Sequence, residues 1–176
     1  MTETLTLDSS SLRDIGKLKL LPQLARLDFK LQTTSIACHL LKGQMRYETD
    51  IASAEGTLKV ECFSDNEIKL IRQFNRLNPG ITLSDCSVLY QAGRDNSLLL
   101  SSDIAVRTIA LGMKIRVVDH STLLGKMVEA KLLTIAEATD KYYELTAKVN
   151  KHCDTGPPVY ILNPDYAVDL LKHSAG

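Results

Sequence analysis

The sequence predicts an α/β domain, three layers deep as α/β/α, around a mostly parallel central sheet. Three observations carry this expectation. Short β-prone runs alternate with helical patterns at close spacing, as in successive βαβ units. One run, Leu98-Leu99-Leu100, is apolar without alternation, which marks a strand covered by helices on both faces. Ser, Thr and Asp stand where apolar runs meet helix starts, as helix caps require.

The elements follow in order. Thr4 to Asp8 is β-prone, and Ser9-Ser10-Ser11 caps a helix with Leu12, Ile15 and Leu18 on one face; Pro22 limits its continuation. Leu27, Phe29 and Leu31 alternate with Asp28, Lys30 and Gln32, the period of a half-buried strand. Thr33-Thr34-Ser35 caps a short helix from Ile36 to Lys42. Gly43 to Gly56 is polar, lacks a clean period, and is read as a loop. Leu58 to Phe63 alternates again. Ser64 and Glu67 form a capping box for a helix carrying Ile68, Ile71, Phe74 and Leu77, and Asn78-Pro79-Gly80 stops it. Ser84 caps a helix through Val88, Leu89 and Ala92.

Beyond the central run, Asp103 to Ala110 is helical with Gly112 as its stop, and Lys114 to Val118 is the last strand. Ser121 to Leu133 and Thr134 to Val149 are two further helices, with Gly125 a weak point in the first. Gly156-Pro157-Pro158 breaks the chain, and Val159 to His173 adds a short strand or turn and a last helix. The domain is therefore expected to span residues 1–150. Residues 151–176 form an extension that packs on it, or on a partner, through Val168, Leu170 and Leu171.

Composition narrows the class. The 176 residues suffice for one core burying about 70% of the unfolded-chain surface. Lys plus Arg number 21, as do Asp plus Glu, so a nucleic acid would have to be held by a local basic patch. Arg13, Lys17 and Lys19 near the first helix, and Lys114 and Arg116 on the last strand, are the candidates. Trp is absent, which leaves RNA few large stacking platforms. Cys38, Cys62, Cys86 and Cys153 form no C-x-x-C pair, which argues against a zinc knuckle or a disulfide framework and for a reducing cytoplasm. No signal peptide or span of about 18 apolar residues is read, so a soluble cytoplasmic protein is expected. Neither G-x-x-x-x-G-K-[ST] nor G-x-G-x-x-G occurs, which disfavours a nucleotide-binding enzyme. A phosphoacceptor receiver domain fits poorly, since the acidic pair expected near the first strand is missing.

Asp8, Asp85 and Asp103 each stand where an apolar stretch meets a helix start. Ligands of α/β sheets bind at the carboxyl edge of the strands, where such residues collect. Three carboxylates gathered there repel one another unless a divalent cation lies among them, and hard oxygens suit Mg²⁺ or Mn²⁺. Each aspartate also has an ordinary reading as a helix cap or a partner of the helix dipole. Ser9 and Ser102, each beside an aspartate, either steady a carboxylate or metal-bound water or serve as caps. Arg107, one turn past Asp103, is placed for a phosphate contact or for a common surface ion pair. Asp119 and His120 end the last strand near the same edge.

The run Leu83-Ser84-Asp85-Cys86-Ser87, a helix, Leu98 to Asp103 with Arg107 and Ala110, and then Gly112-Met113-Lys114-Ile115 resembles the second half of a PIN domain. Leu7-Asp8-Ser9-Ser10 resembles that family's first acidic motif, and the similarity spans roughly residues 4 to 133. Thr122 to Leu133 looks like the segment after the last strand in the subgroup of VapC-like toxin nucleases. The resemblance implies a Mg²⁺- or Mn²⁺-dependent endoribonuclease with Asp8, Asp85 and Asp103 as its first, third and fourth acids. It also implies RNA as substrate, a homodimer and, for a toxin, an antitoxin partner. The family's second acid is a Glu in the helix after the second strand; His39 stands about there. A neutral imidazole is a poorer Mg²⁺ ligand than a carboxylate, though it accepts Mn²⁺. Glu48 would substitute only by folding back over the site. The alternative reading is a catalytically weakened PIN-like fold kept as an RNA-binding or protein-interaction module.

Overall fold

The structure, a computed structural model, describes residues 2–147. The end of the last expected helix and the whole 151–176 extension lie outside the described residues. Five strands, β1 (Glu3–Leu7), β2 (Phe29–Thr34), β3 (Leu58–Glu61), β4 (Leu98–Leu100) and β5 (Val117–Val118), form one sheet in the order β3-β2-β1-β4-β5. Every neighbouring pair is parallel, so the carboxyl ends of all five strands share one edge.

Both faces are covered, which makes three layers. On one face Leu5, Leu7, Leu31, Leu58, Leu98 and Leu100 meet α1 (Ser9–Lys17), α2 (Leu21–Leu24), α4 (Gly43–Ala54) and α8 (His120–Glu129). α9 (Ile135–Thr146) adds Ala138, Tyr142 and Leu145 to the rim of this core. On the other face Leu99 packs with α3 (Ser35–His39), α5 (Asp65–Leu77), α6 (Leu83–Asp95) and α7 (Ile104–Gly112), through Ala37, Ile71, Leu89, Ala92 and Val106. No helix among the described residues is long and apolar enough to cross a membrane.

The α6 side of β1 and β2 is polar yet satisfied. Gln32 donates to Thr6 at 2.9 Å, Thr6 shares a 2.6 Å bond with Ser97, and Thr34 one of 2.7 Å with Ser87. These contacts orient α6. Thr34 ends β2 and meets the helix near its start, whereas Asp95, in the last helical turn, lies beside Thr4 and Lys30 at the strand beginnings. α6 therefore runs against the strands and begins at their carboxyl edge.

Six expectations are corrected. Gly43 to Gly56 is not a loop but mostly α4. Its buried positions are Thr49 and Ala52, too small or too polar to advertise an apolar period, and it docks on α1 over Gly16, where a Cβ would overlap Met45 Sδ and Cε. The first helix is capped by Asp8 itself rather than by the serines after it. The sixth helix is capped by Thr82, not Ser84, because Thr82 and Asp85 make a reciprocal capping box. The last strand is only Val117–Val118: Lys114 is left-handed (φ 60°) and Ile115 N–H turns back to Ala110 at 2.9 Å, closing α7 before extended backbone resumes. The second strand also starts two residues later than its alternation suggested, and Leu77 is exposed instead of facing the core.

Candidate functional site

The carboxyl edge of the sheet is lined by helix starts. Asp8 precedes α1, Thr34 precedes α3, Asp103 precedes α7 and Asp119 precedes α8, each accepting a backbone N–H from the first turn. With α6 also starting there, the edge gathers partial positive charge from several helix dipoles, which favours carboxylates. The aspartates read from the sequence are thus explained as caps before any ligand is invoked.

What remains after capping is informative. Asp8 is 1% exposed at the end of the central strand β1. Its Oδ1 accepts from Ser11 N–H at 2.6 Å and from the Ser10 hydroxyl at 2.8 Å, while its Oδ2 is buried with no partner among the described residues. A buried carboxylate oxygen without a donor costs free energy unless something satisfies it. Asp103 uses Oδ1 alone, for Ala105 N–H at 2.8 Å and Val106 N–H at 3.0 Å. Asp85 uses Oδ2 alone, for Thr82 N–H at 2.8 Å and the Thr82 hydroxyl at 2.7 Å. All three aspartates therefore hold the backbone with one oxygen, leaving the other outside the caps.

The neighbouring residues divide. Ser102 is exposed and bonded to His120 Nδ1, while Ser9 is buried and receives Arg13 Nε at its carbonyl, at 3.2 Å. Arg107 Nη1 lies 4.0 Å from Asp119 Oδ2, a long, half-exposed ion pair. Burial raises the Asp119 carboxyl, but bonds from Thr122 and Ser121, with Arg107 nearby, outweigh it and hold the group below its usual value. His39 is exposed at the last position of α3. Glu48 rides on α4, accepting from Gln44 at 3.0 Å, with Oε2 3.5 Å from where a Gly16 Cβ would stand. Gly16 is eight residues along α1 from Asp8, about 12 Å of helix, so Glu48 does not reach back to Asp8.

His120 is the residue that the sequence placed near the edge without a role. It is 7% exposed, and its Nε2 is buried without a hydrogen-bond partner among the described residues, 4.0 Å from Asp14 Oδ2. Burial lowers its pKa, outweighing Asp14, Asp8 and Asp119, which pull it upward. Asp14, in the middle of α1, was not singled out by sequence; only its one-turn offset from Ser10 and Ser11 on the same helix hinted at it.

The donor chemistry suits a hard divalent cation at one point, the unsatisfied buried oxygen of Asp8. No three His, Cys, Asp or Glu side chains among the described residues converge as a ligand set.

No protein-family model matches the chain. No curated protein matches it either. Among solved structures, it is similar to a PilT N-terminus domain protein, SSO1118, from the hyperthermophilic archaeon Sulfolobus solfataricus, with 19% identity, 72% of this chain and 94% of that one covered, and a TM-score of 0.49. It is similar also to PAE2754 from Pyrobaculum aerophilum, with 15% identity, 73% and 99% coverage, and a TM-score of 0.48.

Proposed function

We propose that this chain is a divalent-metal-dependent endoribonuclease of PIN type, acting at the carboxyl edge of its sheet. One observation carries the reading: Asp8, almost wholly buried at the end of β1, keeps an oxygen that no donor among the described residues satisfies. The free oxygens of Asp85 and Asp103, two residues matched by the PIN resemblance, support it. Asp8 would anchor a Mg²⁺ or Mn²⁺ ion, with Asp85 and Asp103 contributing one oxygen each. When bound, such an ion supplies an activated water and neutralises charge developing on a phosphodiester. The chain's own part is to hold these oxygens still through the caps, and to offer Arg107 to a phosphate in exchange for its long contact with Asp119. RNA is the proposed substrate, a toxin with an antitoxin partner the proposed setting, and the cytoplasm the proposed location. The 151–176 extension is proposed to pack on the domain or across a homodimer.

A second reading, a PIN-like RNA-binding or protein-interaction module, is favoured by two observations. His39, about where the resemblance implies the second acid, is exposed, and no three-ligand set converges among the described residues.

Calorimetric titration of Mn²⁺ into the wild type, Asp8→Asn and Asp103→Asn tests the first reading. Saturable binding in the wild type, weakened at least about tenfold in each variant (roughly 1.4 kcal/mol), is expected, with Mn²⁺-dependent cleavage of single-stranded RNA that chelation abolishes. Absence of binding to the wild type would transfer the case to the module. A large gain in cleavage by His39→Glu would mark the natural chain as impaired.

A further inference from the structure

The contact between Ser102 and His120 joins two strand ends and takes no part in the carboxylate caps. Ser102 follows β4 and directly precedes Asp103, whereas His120 opens α8, separated from β5 only by its cap Asp119. The imidazole is buried, with Nδ1 against the Ser102 hydroxyl and Nε2 facing the acidic side of α1, where Asp14 Oδ2 lies 4.0 Å away. Asp8 and Asp119 add negative charge around the ring.

A neutral imidazole carries one N–H, and its neighbours decide on which nitrogen. A proton on Nδ1 would leave the bare lone pair of Nε2 aimed at carboxylates, inside a region of low dielectric. A proton on Nε2 turns an N–H dipole toward Asp14 and leaves Nδ1 to accept the Ser102 hydroxyl. The second arrangement places each partial charge beside its opposite.

We propose that His120 is a positioning residue, held as the Nε2–H tautomer by the acidic side of α1, so that Nδ1 accepts the Ser102 hydroxyl and fixes the Ser101–Asp103 turn against β5. Ser101 is buried and already tied to β5, its N–H donating to Val118 O at 3.2 Å, so the Ser102 bond acts on the exposed residues beyond it. Asp103 is exposed, and it is held by its own cap and by a 3.2 Å bond from its N–H to Ser101 Oγ. Tethering Ser102 limits where the Asp103 carboxylate points. That functional consequence rests on Asp103 belonging to the proposed metal site; the tautomer and the bond do not.

Two measurements on the full-length chain test this separately. Long-range ¹⁵N–¹H correlation of the histidine rings in metal-free protein, with His120 assigned by its loss in His120→Asn, should show a pyrrole-type Nε2 and a pyridine-type Nδ1 whose resonance shifts in Ser102→Ala. An Nδ1–H tautomer, or an averaged ring unaffected by Ser102→Ala, overturns the proposal. Mn²⁺ titration reads the consequence. His120→Leu should weaken affinity about tenfold, as loss of supporting contacts does at metal sites, while His120→Asn, whose amide oxygen can still accept from Ser102, should restore most of it. Equal affinity in His120→Leu and wild type overturns the positioning role. If the wild type binds no Mn²⁺, the nuclease reading falls, and the ring spectra alone decide the tautomer and the bond.

Discussion

Asp8, Asp85 and Asp103 each divide their two oxygens between holding a helix and facing outward, and this division makes their substitutions separable. Asn is as good an N-cap as Asp, so Asp8→Asn keeps the acceptor for Ser11 N–H and Ser10. Its unfolding free energy should stay within about 1 kcal/mol of wild type in urea titration, while any Mn²⁺ binding disappears. Asp8→Ala removes the cap as well and should lose roughly 1–2 kcal/mol. If Asp8→Asn destabilised as much as Asp8→Ala, the second oxygen would be structural and the site argument would fail. The cysteines give a second test at this scale. Burial raises the Cys38 thiol to about 11, with Asp50 adding to it and Arg46 opposing, whereas Cys62 is exposed. Iodoacetamide at neutral pH, followed by peptide mass spectrometry, should modify Cys62 well before Cys38, because the thiolate is the reactive form. The positions of the aspartates at helix starts were legible in the sequence, since Asp just before a helix or in its first turn is a recognisable pattern. Which of their oxygens stays free was not, because that depends on burial and on the exact donors of each first turn.

Elements announced by strong local chemistry were readable, and those held by tertiary contact were not. The Ser64–Glu67 box, the Thr34 cap and the Asn78-Pro79-Gly80 stop all lie where the residues put them. The Thr82–Asp85 box is equally legible as a T-x-x-D pattern, whereas the expected cap Ser84 has a buried hydroxyl with no partner among the described residues. The α4 helix left no such trace, because its fixed face is Met45, Thr49 and Ala52 pressed on α1 and β3. Gly16 is the point of closest approach, which gives a prediction at this scale. Gly16→Ala gains helix propensity of up to about 1 kcal/mol and needs only the flexible end of Met45 to swing aside, so it should be close to neutral in thermal melts. Gly16→Leu cannot be accommodated that way and should lose about 1–3 kcal/mol as an overpacked contact. Truncating the obstacle with Met45→Ala should recover part of that loss; additive losses in the double variant would place the clash elsewhere.

At the scale of the whole molecule, a mostly parallel sheet between two helical layers was legible from the alternation of strand and helix patterns and the apolar run Leu98 to Leu100, whereas the sheet order and the convergence of helix starts on one edge required the pairing itself. That convergence surrounds His120 with Asp8, Asp14 and Asp119, and yet burial wins and keeps the ring more neutral than usual. The pH dependence of folding follows. The unfolded chain takes up a proton on this residue near 6.5, while the folded chain does so only at lower pH. Above that range both states are neutral and the stability associated with burying the neutral ring is fully present. As pH falls through 6.5 the unfolded state binds the proton first, and stability declines by at most about 1.4 kcal/mol per pH unit until the folded ring also protonates. Urea unfolding of wild type and His120→Asn at several pH values from 7.5 to 5 isolates this term, because other titrating groups cancel in the difference. The stability of wild type relative to the variant should shrink on acidification. A parallel decline would mean that the carboxylates around the ring just offset its burial, and a growing advantage of wild type at low pH would show that they outweigh it and hold the ring as the imidazolium.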